Sequence, residues 1–321
     1  MRAYWHPTDP RWFRFLRDRQ RRNLGADEIN FWKPRGGKFT SLQRGDPFCF
    51  ELKSPINAVG GFGFFERSEP LPLSVAWEAF GEDNGAPDLA TFDAQVRGYR
   101  DPDRRDRLPN YEIGCIMISR PVFFDDAHFV RRATDWQIQG AVIGGTFDAD
   151  VGEGRRVWEE CRLQAQAEGW YLASPAADAE IDAPRFGEPR LVAPRRGQKT
   201  FQLAVIAAYD RACAVSGEHS LPVLEAAHIR PYADHGSHET SNGLLLRSDI
   251  HRLFDRGLVT VTPDFEFKVS ARLLADYRNG RTYYELERRL TDSGGIRLPA
   301  NPRDRPDREL LDWHSRERFV A

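Results

Sequence analysis

The chain has 321 residues, 40% hydrophobic and 29% charged, with a formal net charge of −2. That is ordinary globular usage with length enough for two cored domains; it excludes a disordered chain and a uniformly basic nucleic-acid binder. The four cysteines (49, 115, 161 and 213) are far apart with no C-x-x-C, which argues against a disulfide framework and a structural zinc site. No apolar run approaches about 18 residues, and the first residues do not read as a signal peptide, so no membrane span is expected and the expected location is the cytoplasm.

The N-terminal segment 11–22 holds six arginines and a single acid, Asp18; it reads either as a phosphate-facing run or as a solvated arginine-rich face. Residues 47–52, after Gly45-Asp46, read as a strand. Residues 58–65 are glycine-rich and aromatic, as in a bent strand. Residues 73–80 and 88–99 have helical periodicity, with Trp77 packed on the first of these helices. Residues 112–118 and 121–124 form a further strand region, and 157–167 a helix that closes the domain. No internal repeat appears. Residues 173–194 are rich in Ala, Pro, Asp and Gly, with prolines at 175, 184, 189 and 194, and read as a linker. The expected organisation is a recognition domain over 1–172, a linker over 173–194 and a second domain over 195–321. The segment 185–199 has five basic residues and one acid. Arg195, Arg196 and Lys199 lead into the second domain and are candidate DNA-backbone contacts, with a solvated surface as the alternative.

In the second domain, residues 221–224 run into His228 and read as a strand. Ser248 is the predicted N-cap of a helix over 249–255, and Gly257 its stop. Residues 258–262 and 265–269 read as a hairpin. Cys213 reads as a small buried apolar residue. His219, His235 and His238 fall on loops and are assigned no role.

The spacing of three polar residues carries the chemistry. His228, Asn242 and His251 are separated by 14 and 9 residues, with Asp255 four beyond. On a helix His251 and Asp255 share a face. Hydrolysis of a phosphodiester needs a deprotonated water and a counter-charge for the developing oxyanion. A neutral imidazole is a suitable base near pH 7. A divalent cation supplies the counter-charge, and histidine plus carboxylate oxygen suits Mg²⁺, Mn²⁺ or another first-row ion. An asparagine donates and accepts at once, so it can brace a loop against the base. Asp255 could instead cap a turn or pair with Arg252 or Arg256.

The ordered motifs Gly197-Gln198, Phe201, Tyr209, Cys213, Gly217, Leu224-Glu225-Ala226-Ala227-His228-Ile229, Pro231-Tyr232, Asn242-Gly243-Leu244, His251 and Phe254-Asp255 closely resemble the HNH endonucleases. Within that family they resemble the predicted restriction endonucleases. The resemblance covers roughly residues 195–270. It implies a ββα-metal domain with His228 as general base, Asn242 as the residue that holds the loop and orients the base, and His251 as a metal-binding histidine. Asp255 falls where colicin-type members place a second metal ligand. Many members have a metal-binding Asp or His immediately before the base, where this chain has Ala227; Glu225, two residues further back, is the substitute ligand candidate.

Tyr4-Trp5, Phe31-Trp32-Lys33-Pro34, Gly45-Asp46 and Gly60-Gly61-Phe62-Gly63 resemble, through shorter motifs, the PUA-like superfamily that includes EVE- and SRA-type readers of modified bases. That resemblance implies a mixed β-barrel that receives a flipped base in an aromatic pocket, for which Trp5, Trp32 and Phe39 are the candidate walls. The expected whole is an α+β chain: a PUA-like reader followed by a metal-dependent HNH nuclease that acts on double-stranded DNA carrying a modified base. A homodimer would let two sites cut both strands. The alternatives are an HNH nuclease of homing or toxin type on unmodified DNA, and a non-catalytic reader of modified DNA.

Overall fold

The computed structural model describes residues 1–100, 110–131, 144–168, 198–231, 234 and 236–320. The chain forms two compact units, Met1–Gly197 and Gln198–Ala321. The predicted linker 173–194, together with Arg195 and Arg196, lies outside the described residues.

The first unit contains β1 (Arg2–Pro7), α1 (Pro10–Arg21), β2 (Glu28–Lys33), β3 (Pro47–Leu52), β4 (Ala58–Pro72), α2 (Leu73–Phe80), α3 (Leu89–Arg97), β5 (Glu112–Phe123), β6 (Val130–Arg131), β7 (Gly145–Asp148) and α4 (Gly152–Ala167). The strands make one mixed sheet of order β2-β5-β4-β3-β1-β7, with β6 paired to β4. β1 runs parallel to β3 and every other pairing is antiparallel. β4 is long, and its register against β5 shifts at Phe62/Phe64 and at Phe65/Arg67, which bends the sheet. A Cβ on Gly61 would lie 2.1 Å from the Val122 carbonyl, so the bent crossing requires a residue without a side chain. The predicted bent glycine-rich strand is therefore present, and it extends to Pro72.

Alternation along the strands divides the apolar residues between the two sheet faces. On one face Trp12, Phe31, Phe48, Phe50 and Phe123 pack edge-on or stacked. On the other, Trp5, Cys49 and Phe62 pack with Val157, Trp158 and Cys161 of α4. α1 begins at Pro10, with the Asp9 carboxylate accepting from the Arg11 and Trp12 backbone N–H groups at 2.6 and 3.0 Å; this is a capped helix start with proline at its first position. Several arginines of the 11–22 run are used inside the unit: Arg11 pairs with Asp9, Arg17 with Asp126, Arg19 with Glu82 and Asp83, and Arg21 with Asp125.

The second unit contains α5 (Gln198–Ala208), β8 (Leu224–His228), β9 (Gly243–Arg247), α6 (Ser248–Asp255), β10 (Val259–Val261), β11 (Phe267–Val269), α7 (Arg272–Tyr277), α8 (Arg281–Ser293) and α9 (Arg308–Glu317). β8 pairs antiparallel with β9, and β10 with β11. The predicted strand at 221–224 is a 3-10 turn over Leu221–Val223 that becomes a strand only at Leu224, because Pro222 supplies no ladder N–H. Ser248 is the first helical residue rather than the cap: Arg247 holds the N-cap position, with no side-chain cap bond. Gly257 has φ +67° and ends α6 as expected. All four cysteines are buried free thiols. Among the described residues no helix is long and apolar enough to cross a membrane.

Candidate functional site

β8, β9 and α6 form one ββα unit. The register pairs His228 with Gly243, so the end of β8 meets the start of β9. α6 covers both strands, with Ile250 and Phe254 turned inward at 0% and 2% exposure. The polar face of α6 carries His251.

Contacts with Phe201 and His238 position His228 at the end of β8. Its ring stacks on Phe201 of α5 at 3.8 Å between centroids and 14° between planes. Its Nε2 lies 3.1 Å from Nδ1 of His238. His238 was assigned no role from sequence; the fold brings it across the β8–β9 connection onto the candidate base. Such a pair holds an imidazole in plane and constrains which nitrogen carries the proton.

Asn242 lies beneath the same connection at 0% exposure. Its carboxamide oxygen accepts from the Arg230 N–H at 2.9 Å. Its Nδ2 donates to the carbonyls of Arg230 (2.9 Å) and Ser237 (2.8 Å). The Asn242 carbonyl accepts from the Ile229 N–H at 2.9 Å. One side chain thus satisfies three backbone groups and ties the chain just after His228 to the chain just before β9.

His251 sits between two carboxylates. Its Nδ1 is 2.6 Å from Glu225 Oε2 of β8, and its Nε2 is 3.5 Å from Asp255 Oδ2 one turn along α6. A carboxylate oxygen only accepts, so the short contact assigns Nδ1–H to Glu225 and leaves the Nε2 lone pair facing Asp255. The Glu225 and Asp255 side chains are 46% and 60% exposed, so the site is open to solvent. Among the described residues no group of three or more His, Cys, Asp or Glu is arranged to hold a metal ion. The donor set that fits a cation is His251 Nε2 with Asp255, one imidazole nitrogen and one hard oxygen; that suits a divalent ion which keeps waters in its shell. Glu225, expected as a ligand, is engaged with Nδ1 of His251. Ala227 is fully buried and has no donor to offer.

Behind α6 lies a second histidine that spacing did not reveal. His314 of α9 is 2% exposed and stacks on Phe254 at 3.7 Å and 6°. Its Nε2–H donates to the Phe254 carbonyl at 3.2 Å, and its Nδ1 accepts from the Thr260 hydroxyl at 2.9 Å. Burial pushes its pKa down to about 4. This neutral ring fixes the helix that carries His251 and Asp255.

The first unit contains a cavity of about 410 Å³. Its lining includes His6, Trp12, Phe31 and Trp32, with exposed Arg14, Lys53 and Tyr99. Of the predicted pocket walls only Trp32 borders it. Trp5 belongs to the opposite core, 2% exposed, its indole N–H donating to Glu51 at 2.7 Å. Phe39 is 7% exposed and packs edge-on against Tyr4 at 4.8 Å. Both are core residues: the strand alternation turns Trp5 toward α4, and Phe39, in the connection between β2 and β3, is closed under neighbouring rings. Of the predicted DNA contacts, Lys199 lies half-buried in the first turn of α5, and Arg195 and Arg196 lie outside the described residues.

Residues 213–262 match the HNH endonuclease family, and this part of the chain is an HNH endonuclease domain, a hydrolase of DNA phosphodiester bonds. No curated protein matches the chain. Solved structures with similarity include ASCH from Zymomonas mobilis, at 9% identity and TM-score 0.30 over 50% of this chain and 94% of that one. They also include the modification-dependent TagI restriction endonuclease, at 14% identity and TM-score 0.26 over 92% of this chain and 76% of that one.

Proposed function

We propose that the endonuclease domain works as the cutting half of a metal-dependent, modification-dependent restriction enzyme whose first unit reads a modified base in double-stranded DNA. The observation that carries the cutting half is the ββα unit itself, with a stacked, hydrogen-bonded His228 on β8 and His251 between two carboxylates on the adjoining helix.

In this reading His228 is the general base. It takes a proton from water, and the ring that results is held by Phe201 and His238. Asn242 is a positioning residue that keeps the β8–β9 connection in register with His228. His251 Nε2 and Asp255 would hold a divalent ion, Mg²⁺ or Mn²⁺. When bound, that ion supplies counter-charge to the phosphate and to the leaving oxygen. Glu225 orients His251. Lys199, with Arg195 and Arg196, would lie along the DNA backbone.

The reading half rests on the aromatic cavity. A volume of about 410 Å³ is in the range of small-ligand sites, and Trp32, Trp12 and Phe31 give a flipped base flat apolar walls. Extrusion costs a few kcal/mol, which stacking and edge hydrogen bonds offset. Since one HNH site cuts one strand, a double-strand cut calls for a homodimer or repeated nicking. A cytoplasmic enzyme is the setting that goes with this function.

The test is a digest of matched duplexes, modified and unmodified, by wild type and by His228→Ala in Mg²⁺ and in Mn²⁺. Wild type should cut modified DNA, and the variant should lose cleavage while retaining binding. Cleavage by His228→Ala at the wild-type rate ends the base assignment, and equal cleavage of unmodified DNA ends the reader assignment.

A further inference from the structure

The cavity of the first unit has a polarity that its aromatic lining conceals. Four of its neutral hydrogen-bond donors are already engaged. The Trp12 indole N–H donates to the Asn30 carbonyl at 3.1 Å, and the Trp32 indole N–H to the Asn84 carbonyl at 3.2 Å. The Thr8 hydroxyl donates to the His6 carbonyl at 3.0 Å, and the Tyr99 hydroxyl to Asp9 at 2.7 Å. Four of the lining residues, Pro7, Pro10, Pro34 and Pro55, have no backbone N–H to give.

Beside the exposed Ser54 hydroxyl, which can donate or accept, the lining presents an imidazole acceptor. His6 Nδ1 lies 2.7 Å from the Pro7 carbonyl. A carbonyl cannot donate, so Nδ1 carries the proton. Nε2 makes no hydrogen bond to a described residue and is not sealed from solvent, and the cavity is the space that His6 lines. Burial, the largest effect, holds the His6 pKa down at about 4, so at neutral pH the ring presents a lone pair at Nε2 rather than a second N–H. The Asp9 carboxylate, also on the lining, already accepts from Arg11, Trp12 and Tyr99. The cationic residues Arg14 and Lys53 are both exposed and suit a phosphate outside the cavity rather than a base edge within it.

We propose that this cavity selects a base that carries an exocyclic amine, of cytosine or adenine type, with His6 Nε2 accepting one amine N–H. A thymine- or uracil-type base sets a carbonyl where the amine would stand, and that oxygen would meet the Nε2 lone pair and lose water without gaining a donor there. A base whose amine is doubly alkylated is excluded for the same reason. The inference rests on the cavity being the base site, and the experiment separates the two.

The probe is a set of fluorescein-labelled duplexes, identical except for one central base opposite an abasic site. One pair compares 5-methylcytosine with thymine, which differ in amine against carbonyl at the same ring edge. A second compares N6-methyladenine with N6,N6-dimethyladenine. Binding to the full chain is read by anisotropy in EDTA, so that no strand is cut. At least one amine-bearing member should bind about 10-fold more tightly than its partner, the cost of leaving one buried acceptor and one carbonyl unmatched. His6→Leu should remove that ratio. His6→Gln, which restores an acceptor at the ε position, should recover part of it. Thermal unfolding of both variants checks that the unit is folded. Tighter binding of the carbonyl or dialkylated member, or a ratio that survives His6→Leu, overturns the inference and leaves the cavity as a base site. Equal binding whatever the central base overturns both.

Discussion

Replacing Asn242 with Ala should destabilise the second unit while leaving the candidate base and metal ligands untouched. The side chain is 0% exposed and makes three hydrogen bonds, to the Arg230 N–H and to the carbonyls of Arg230 and Ser237. Truncation leaves those three backbone groups without partners. Each buried unsatisfied group costs about 1–3 kcal/mol; because Arg230 is half-buried and Ser237 exposed, the low end of that range applies and the sum is about 3 kcal/mol. For a unit of this size that corresponds to a fall in Tm of about 10–15 °C. Denaturant unfolding followed by tryptophan fluorescence reads the stability, and single-turnover cleavage below the new transition reads the chemistry. Asn242→Asp keeps the acceptor but loses both donations and buries a charge, so it should be at least as damaging as Ala. A loss under about 1 kcal/mol for Asn242→Ala, with cleavage nevertheless abolished, would refute the bracing role and make Asn242 a direct participant.

Three further outcomes are expected. Glu225→Ala should lower Mn²⁺ affinity about 10- to 100-fold, as loss of an orienting carboxylate does, and Glu225→Gln should restore much of it because an amide oxygen still accepts from Nδ1–H; if calorimetric titration shows Gln no better than Ala, Glu225 is a ligand after all. His314 is held neutral, with its pKa lowered from 6.5 to about 4. The unfolded chain therefore binds a proton that the folded chain refuses, and this contribution is intact above about pH 6.5 and is lost progressively as pH falls towards 4, about 3 kcal/mol in all. His314→Phe should flatten that acid limb of the unfolding midpoint, and an unchanged limb would assign it elsewhere. Chelation with EDTA should abolish cleavage by the wild type and added Mn²⁺ restore it, while anisotropy shows DNA still bound; cleavage that persists in EDTA would remove the ion from the mechanism.

What could be read from sequence was what short spacing encodes. His228, Asn242 and His251 fall on a strand, a connection and a helix whose order follows from local pattern, and Gly257 marks the helix end through its left-handed backbone. The elements over 73–80 and 58–65 were legible for the same reason. What escaped depends on chain folding back over long distances. His238 reaches His228 across a connection with no regular period, and His314 reaches Phe254 from 60 residues away. Glu225 was identified as a candidate by its face of the strand, but whether it faces an ion or the Nδ1–H of His251 is a matter of side-chain geometry that no spacing contains. Residue type alone points Trp5 and Phe39 to the pocket, whereas the strand position of Trp5 and the packing of Phe39 in the β2–β3 connection place them in core. His6 gave no signal, because a lone histidine near an N-terminus is unremarkable until its neighbours are known.

The stacked rings on either side of the ββα unit set the smallest piece that can work. Phe201 precedes the matched segment 213–262 and His314 follows it, so a fragment cut to that segment would keep the reactive side chains and lose both of the planes that hold them flat. A transplantable cutter would have to carry α5 and α9 as well, roughly residues 198–320. A graft of the ββα hairpin and helix alone into another scaffold would need aromatic buttresses supplied by the host.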